Sequence, residues 1–410
     1  MSLSLKYFKT YQPMIVMFIL CPHFSIYGQE IPMRGMHSKS LAHLDQIVLR
    51  EMKQHQIVGS SVAISFEGRL VFVRGYGYAD LAAKIPVFPI TRFNLASCSK
   101  PVTAIAILKL VDEGKLNLDK PIFSFLKSLH IPKNGKADKR LKLITTRHLL
   151  NHSSGFQRSF KAIRKYRSVV EELQAGLIEP LLFDPGTQSK YSNYAFTLLK
   201  LIVTEAAGET DLENGYEKFV ISKILHPMEI KQMKLAETLD EDYSSNEAKR
   251  YFCGSKELIL HPGLSHIKAN SSWLASSVDV MRFMTAIDGS RSKDFLSQRS
   301  INQMFRFPPP PYQSKNKSRH FGLGWDMVER SPEGVHYSKN GGLAGTATWM
   351  EHFPNGVNLT ILFNSTVKGK EEDGPRQWRA PIREAVQNIK KWPNSNFFPT
   401  FEAKELKLKN

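Results

Sequence analysis

The chain of 410 residues carries only three cysteines, Cys21, Cys98 and Cys253. That excludes a disulfide framework. Cys98 and Cys253 could pair in an oxidising compartment, but their spacing does not say whether their Cα atoms approach, and a buried structural thiol is the simpler role for Cys98. The thirteen histidines show no paired ligand spacing, with His320 and His352 standing alone, so neither a metal nor a cofactor is expected. No apolar run is long enough for a comfortable membrane span. Acid is scarce: 38 Asp and Glu against 56 Lys and Arg give a formal charge of +18. The basic residues are scattered, clustering only locally in KNGKADKRLK (133–142) and KNKSR (315–319), and no nucleic-acid motif accompanies them. A solvated, basic surface drawn to an anionic cell envelope is therefore preferred over a nucleic-acid partner.

What is present is a globular composition, 42% hydrophobic and 10% aromatic, able to fill a sizeable core. The first 28 residues read as a signal peptide: Lys6 and Lys9, the short apolar run PMIVMFIL (13–20), then Gly28 as the small residue before cleavage. A buried N-terminal strand or helix is the plainer alternative. A lipid-modified Cys21 ranks second to simple cleavage, because bulky Leu20 precedes it. The expectation is an exported protein, periplasmic or extracellular.

Along the rest of the chain, SVAISFEGRLVFVRGYGYA (61–79) reads as two strands around a Glu67-Gly68 turn. KPVTAIAILKLVDEGKL is a helix with Pro101 in its first turn and Gly114 to stop it, apolar nearly all round and so buried on several sides. TTRHLLNHSSGF, SNYAFTLLKLIVTEAAGE and SSVDVMRFMTAI supply further helices, and PPPP (308–311) a loop. Strand patterning returns in TATWMEHF and VNLTILFN around Pro354-Asn355-Gly356, and RQWRAPIREAVQNIKKW closes as a helix bent or interrupted near Pro381. The expected fold is α/β of the α+β kind: an antiparallel sheet from both termini flanked by helices, with an inserted, mostly helical lobe. Residues 29–395 form one catalytic-size domain, its sheet lobe at about 40–115 and 320–395 and its helical lobe at about 116–319; residues 396–410 are a tail.

Chemistry concentrates at the start of the buried helix. Ser97 and Lys100 are one turn apart and share a face, near the positive end of the helix dipole. A serine hydroxyl needs a base. An ordinary lysine, with a pKa near ~10.4, is protonated at neutral pH, unless burial or a second cation lowers it. The spacing alone does not decide, since Ser124/Lys127 and Ser314/Lys317 share it. Two further segments complete a constellation: Tyr191-Ser192-Asn193 at the opening of a helix, and Lys339-Asn340-Gly341 leading into a strand. Tyr191 can shuttle a proton, Asn193 can bond a substrate amide or the lysine, and Lys339 is the candidate second cation. The bland alternatives are a helix-start serine, a ring-packing tyrosine, a capping asparagine and a solvated lysine. His152 reads as structural, tying down a turn.

Ser-x-x-Lys, then Tyr-x-Asn, then Lys-x-Gly, in that order, resembles the class C β-lactamase and penicillin-binding serine hydrolase family. GYGYADLAAKIPVFPITRFNLASCSKPVTA, ITTRHLLNHSSGF, FDPGTQSKYSNYAFTLL and FGLGWDM extend the likeness from about residue 44 to 364. The resemblance implies that Ser97 is acylated, Lys100 helps to deprotonate it, and Tyr191 transfers protons to the leaving group and in deacylation. It implies Asn193, Lys339, Asn340 and Gly341 on the substrate, and the backbone amides of Ser97 and Gly342 as an oxyanion hole. Asn340 departs from the family's usual threonine or serine and offers a substrate carboxylate no hydroxyl. The implied function is hydrolysis of an amide or ester through an acyl-enzyme, the substrate being a small molecule or peptide: a D-amino-acid peptide, a peptidoglycan stem peptide, a β-lactam or a small ester. The alternative from another class is an envelope-binding or sensor protein on the same fold, acylated slowly or not at all.

Overall fold

The computed structural model describes residues 30–133, 137–158, 168–236, 243, 246–259, 271–289, 295–313, 319–370 and 374–404. The expected leader, 1–28, lies outside them. Nine strands make the large sheet: β1 (Met33–His37), β2 (Gly59–Phe66), β3 (Arg69–Asp80), β4 (Ile85–Pro86), β5 (Arg319–His320), β6 (Met327–Ser331), β7 (Gly334–Leu343), β8 (Thr346–His352) and β9 (Val357–Phe363). Their order is β1-β3-β2-β9-β8-β7-β6-β5, with β4 attached to β3. All neighbours are antiparallel. The two ends of the chain meet in the middle, where β2 pairs with β9 and Val62 lies opposite Ile361. This is the sheet from both termini that the sequence suggests.

Local signals explain the hairpins. Glu67 and Gly68 both take positive φ, 47° and 75°, between β2 and β3, as in the tight turns whose twist matches that of the flanking strands. Period-two alternation then sends residues to opposite faces. Val62, Ile64, Phe72, Leu359 and Ile361 pack under α1 (His43–His55) and a C-terminal helix, through Leu44, Val48, Met52, Trp378, Ile382 and Val386. Ala63, Val73, Met350 and Leu362 face the other way, into the larger core shared with the helical lobe.

The helices that line this larger core are α2 (Lys100–Asp112), α3 (Thr146–Leu150), α4 (Val169–Gly176), α5 (Asn193–Ala206), α6 (Gly215–Val220), α7 (Ser277–Thr285) and α8 (Gln298–Met304). Every residue of α2 from Lys100 to Leu108 is buried, as its all-round apolar pattern predicts, and it packs against α5. The middle of the chain is not purely helix and loop. Phe93–Asn94, Trp273–Ala275 and Lys234–Leu235 form a small three-stranded ribbon, its strands two or three residues long and so without a legible period.

At the C-terminus the expected helix forms, and part of the expected tail is helical too. α9 (Gly374–Gln387) runs through Pro381. The hydrogen bond lost to the proline ring is offset by the apolar stripe Trp378, Ile382 and Val386 on the sheet. The segment set aside as a tail, 396–410, contains α10 (Phe398–Lys404), anchored by buried Phe398 and Phe401. The Phe397 N–H donates to the Leu70 carbonyl at 2.8 Å. Cys98 and Cys253 are free thiols.

Candidate active site

Ser97 sits on a single 3₁₀ turn, Ala96–Ser99, that feeds directly into α2. Around it Leu95, Ala96, Cys98 and Ser99 are buried, while Ser97 is half-buried. The turn is held from several sides. Ala96 adopts a left-handed φ of 46°, stabilised by its N–H donating to Asn94 Oδ1 at 2.7 Å. Such strain persists where the surroundings over-determine it. The Leu95 N–H donates to the Trp273 carbonyl at 2.8 Å, Trp273 N–H to Ser99 Oγ at 3.2 Å, and Thr348 Oγ1 to the Leu95 carbonyl at 2.7 Å. β7 presses against the same turn. A Cβ on Gly341 would stand 2.4 Å from the Leu95 carbonyl oxygen and 3.0 Å from the Ser97 nitrogen, so only glycine fits there.

Two groups converge on the Ser97 hydroxyl. Lys100 Nζ donates to Oγ at 3.1 Å and the Tyr191 hydroxyl donates to it at 2.7 Å. Tyr191 arrives from the segment before α5, whose first turn is capped by Ser192 Oγ accepting from the Ala195 N–H. His152, in a left-handed conformation with φ 59°, stacks on the Tyr191 ring at 4.5 Å and accepts the Ser192 N–H at 3.2 Å. The structural role expected of His152 is thus a positioning of Tyr191. The Tyr191 ring also lies within cation–π range of Lys100 (4.9 Å), Lys339 (4.8 Å) and Arg158 (5.4 Å).

The surroundings set the protonation states. Burial first, then the Lys339 ammonium, hold Lys100 well below the usual lysine range. Burial also raises the Tyr191 phenol, against the opposing pull of Lys339. Lys339 is raised: burial is the largest single influence and pulls it down, but the Asp326 carboxylate, with smaller help from Tyr191 and Cys98, outweighs it. The arrangement at neutral pH is a lysine able to accept a proton, a phenol that keeps its own, and an ammonium beside both.

Of the residues singled out in the sequence, Ser97, Lys100, Tyr191 and Lys339 come together, and Gly341 supports them. Gly342 follows Gly341 on β7, where its partner is Ala347. Asn193 opens α5 at the edge of the group; its N–H donates to the Arg158 carbonyl at 2.7 Å, and its side-chain oxygen is buried with no hydrogen-bond partner among the described residues. Asn340 is half-buried beside Lys339. The two decoys part from the site. Ser124 and Lys127 are exposed, with Ser124 Oγ closing a turn on the Pro121 carbonyl, and Ser314 and Lys317 lie outside the described residues. Asp326 was not foreseen. It pairs with Lys339 Nζ and takes the Asn340 N–H at 3.4 Å. The signal was available: folding SPEG (331–334) into a turn sets Met327 opposite Ser338, which brings Asp326 beside Lys339.

A profile of the family described as Beta-lactamase matches residues 44–384. The chain belongs to the beta-lactamase family. The protein flp of Staphylococcus aureus (strain N315) is 26% identical over 245 residues, 58% of this chain and 47% of that protein, so the chain spans about half the length of this relative. Among solved structures, the beta-lactamase/D-alanine carboxypeptidase from Pseudomonas syringae superposes with a TM-score of 0.68 at 20% identity, covering 85% of this chain and 100% of that one. The D-amino acid amidase from Ochrobactrum anthropi SV3, complexed with L-phenylalanine amide, gives 0.65 at 20% identity over 85% and 99%. These structures share the fold, as expected from the sheet of both termini and the inserted lobe.

Proposed function

We propose that this member of the beta-lactamase family is an exported serine hydrolase that cleaves an amide or ester through an acyl-enzyme on Ser97. One observation carries the reading: Ser97 Oγ is within hydrogen-bond distance of both a buried lysine and a tyrosine, Lys100 and Tyr191. Neutral Lys100 takes the hydroxyl proton as Oγ attacks the carbonyl carbon. Backbone N–H groups of Ser97 and Gly342 receive the developing oxyanion. Tyr191 passes the proton from the Lys100 side to the departing nitrogen or oxygen, and its hydroxyl then helps a water attack the ester formed. Asn193, through its unpartnered side-chain oxygen, holds a substrate amide. The substrates that fit this chemistry are D-amino-acid peptides, stem peptides, β-lactams and small esters. The charge of +18 supports work beside an anionic envelope.

The test is the intact mass of the protein after a fluorophosphonate, and separately after a penicillin, with Ser97→Ala alongside. A single fluorophosphonate adduct on the wild type and none on the variant is expected, with a loss of esterase activity of about a thousandfold or more in Ser97→Ala. Folded wild type that takes no adduct from either reagent sinks the hydrolase reading. A penicillin adduct that persists for hours, without turnover of esters or peptides, replaces it with a slowly acylated sensor.

A further inference from the structure

Lys339 carries a charge that the cleft does not display. Its side chain is fully buried, whereas that of Asp326, its partner, is 21% exposed. The member of the pair nearest solvent is the carboxylate. Its second oxygen faces the Asn340 N–H, so both polar groups that open the third motif, the Lys339 ammonium and the Asn340 amide, are already directed at an internal acid. The Asn340 side chain offers no hydroxyl. Lys339 also lies against the Tyr191 ring, so this acid is within electrostatic reach of Tyr191, the residue that the proposed mechanism turns toward the leaving group.

We propose that Asp326 is a specificity-determining residue, which reserves the leaving-group side of the cleft for substrates without a carboxylate there: esters of neutral alcohols, and amides of neutral amines or of amidated peptides. The proposal rests on the acyl-enzyme reading of Ser97. A free C-terminal carboxylate in that position would have to displace Asp326 from Lys339 or sit beside a like charge. Arg158, exposed and 5.4 Å from the Tyr191 ring, is the other cation that an anionic leaving group could reach.

Two aryl esters differing only in that charge test it, phenyl acetate and 3-acetoxybenzoate. In each, the Ser97 Oγ–acetyl bond forms as the acetyl–phenoxide bond breaks, and the serine proton travels through Lys100 and Tyr191 to the phenoxide. The readout is kcat/KM for the two, divided by their alkaline hydrolysis rates. The wild type should favour phenyl acetate at least tenfold. Asp326→Asn should shift the ratio at least tenfold toward the acid, and Asp326→Glu should restore the wild-type ratio, which a merely structural aspartate would not do. Wild-type preference for the carboxylate overturns the proposal, including a preference that vanishes in Arg158→Gln. An unchanged ratio in folded Asp326→Asn does the same. If that variant does not fold, the wild-type ratio still decides. Fluorophosphonate labelling of Ser97 without acetylation by either ester overturns this inference alone; absence of labelling removes the hydrolase reading and the inference with it.

Discussion

Lys100 and Lys339 occupy the two walls of one site and resemble each other closely. Both are fully buried, and their side-chain nitrogens lie 4.9 and 4.8 Å from the same Tyr191 ring. Yet Lys100 is driven down and Lys339 up. Burial pushes both the same way. The difference lies in which charge stands nearest: for Lys100 the chief electrostatic influence is another ammonium, and for Lys339 it is a carboxylate in contact. Depth in the fold therefore does not make a lysine a base. A neighbouring acid decides whether it carries a proton to be given up or a charge to be kept.

The contrast can be broken by a residue that cannot deprotonate. Lys100→Arg should lower acylation by about a thousandfold, since guanidinium stays protonated, while Lys339→Arg, beside Asp326, should cost less than about tenfold. Comparable losses in both, measured as fluorophosphonate labelling rates on folded protein, would erase the distinction. The pH profile sharpens it: wild-type acylation should climb tenfold per unit as pH rises through the lowered Lys100 value and then level off. Tyr191→Phe comes next, with an expected loss of about a hundredfold in kcat and a longer-lived adduct, because the proposed mechanism has the phenol serve the leaving group and the water; unchanged deacylation would remove Tyr191 from that step.

The smallest effect concerns stability. Burial, then Lys339 and Lys100, hold His152 well below its ordinary value, and burial lowers His148 from 6.5 to about 4. In both, the unfolded chain takes the proton first. Stability is therefore complete above pH 6.5 and is lost as pH falls, for His148 down to about pH 4, at up to about 1.4 kcal/mol per unit for each group. Denaturant melts at pH 7.5 and 5 should show it, and His148→Gln should flatten the loss; a pH-independent midpoint in the wild type would mean that neither histidine is kept neutral.

Much of this was legible in the chain. The strands of 61–79 and the hairpin at Pro354–Gly356 carry alternation and turn residues, and α2 announces itself by Pro101, Gly114 and unbroken apolar character. Ser97 and Lys100 were legible because a helical turn relates them. Tyr191 and Lys339 were legible only in ordered combination, since no spacing relates residues on separate elements. Asp326 escaped because its partner is set by strand register; His152 was legible as structural, but not its partner, because it packs on a ring 39 positions away in sequence. The ribbon of 93–94, 234–235 and 273–275 is too short for periodicity, and its pairing is dictated by the fold around it.

The pairing of β2 with β9 has a consequence for synthesis. Ser97 and Lys100 leave the ribosome early, whereas β7, with Lys339 and Gly341, follows more than two hundred residues later. Until the last strands arrive, β2 presents an open edge in mid-sheet, the kind of template on which nascent chains aggregate. The wall that buries Lys100 is missing over the same interval. On the proposed mechanism, a truncated or stalled chain would hold Ser97 and Lys100 without the surroundings that lower the lysine, and reactivity toward a fluorophosphonate would report that the last strands have been made and have folded.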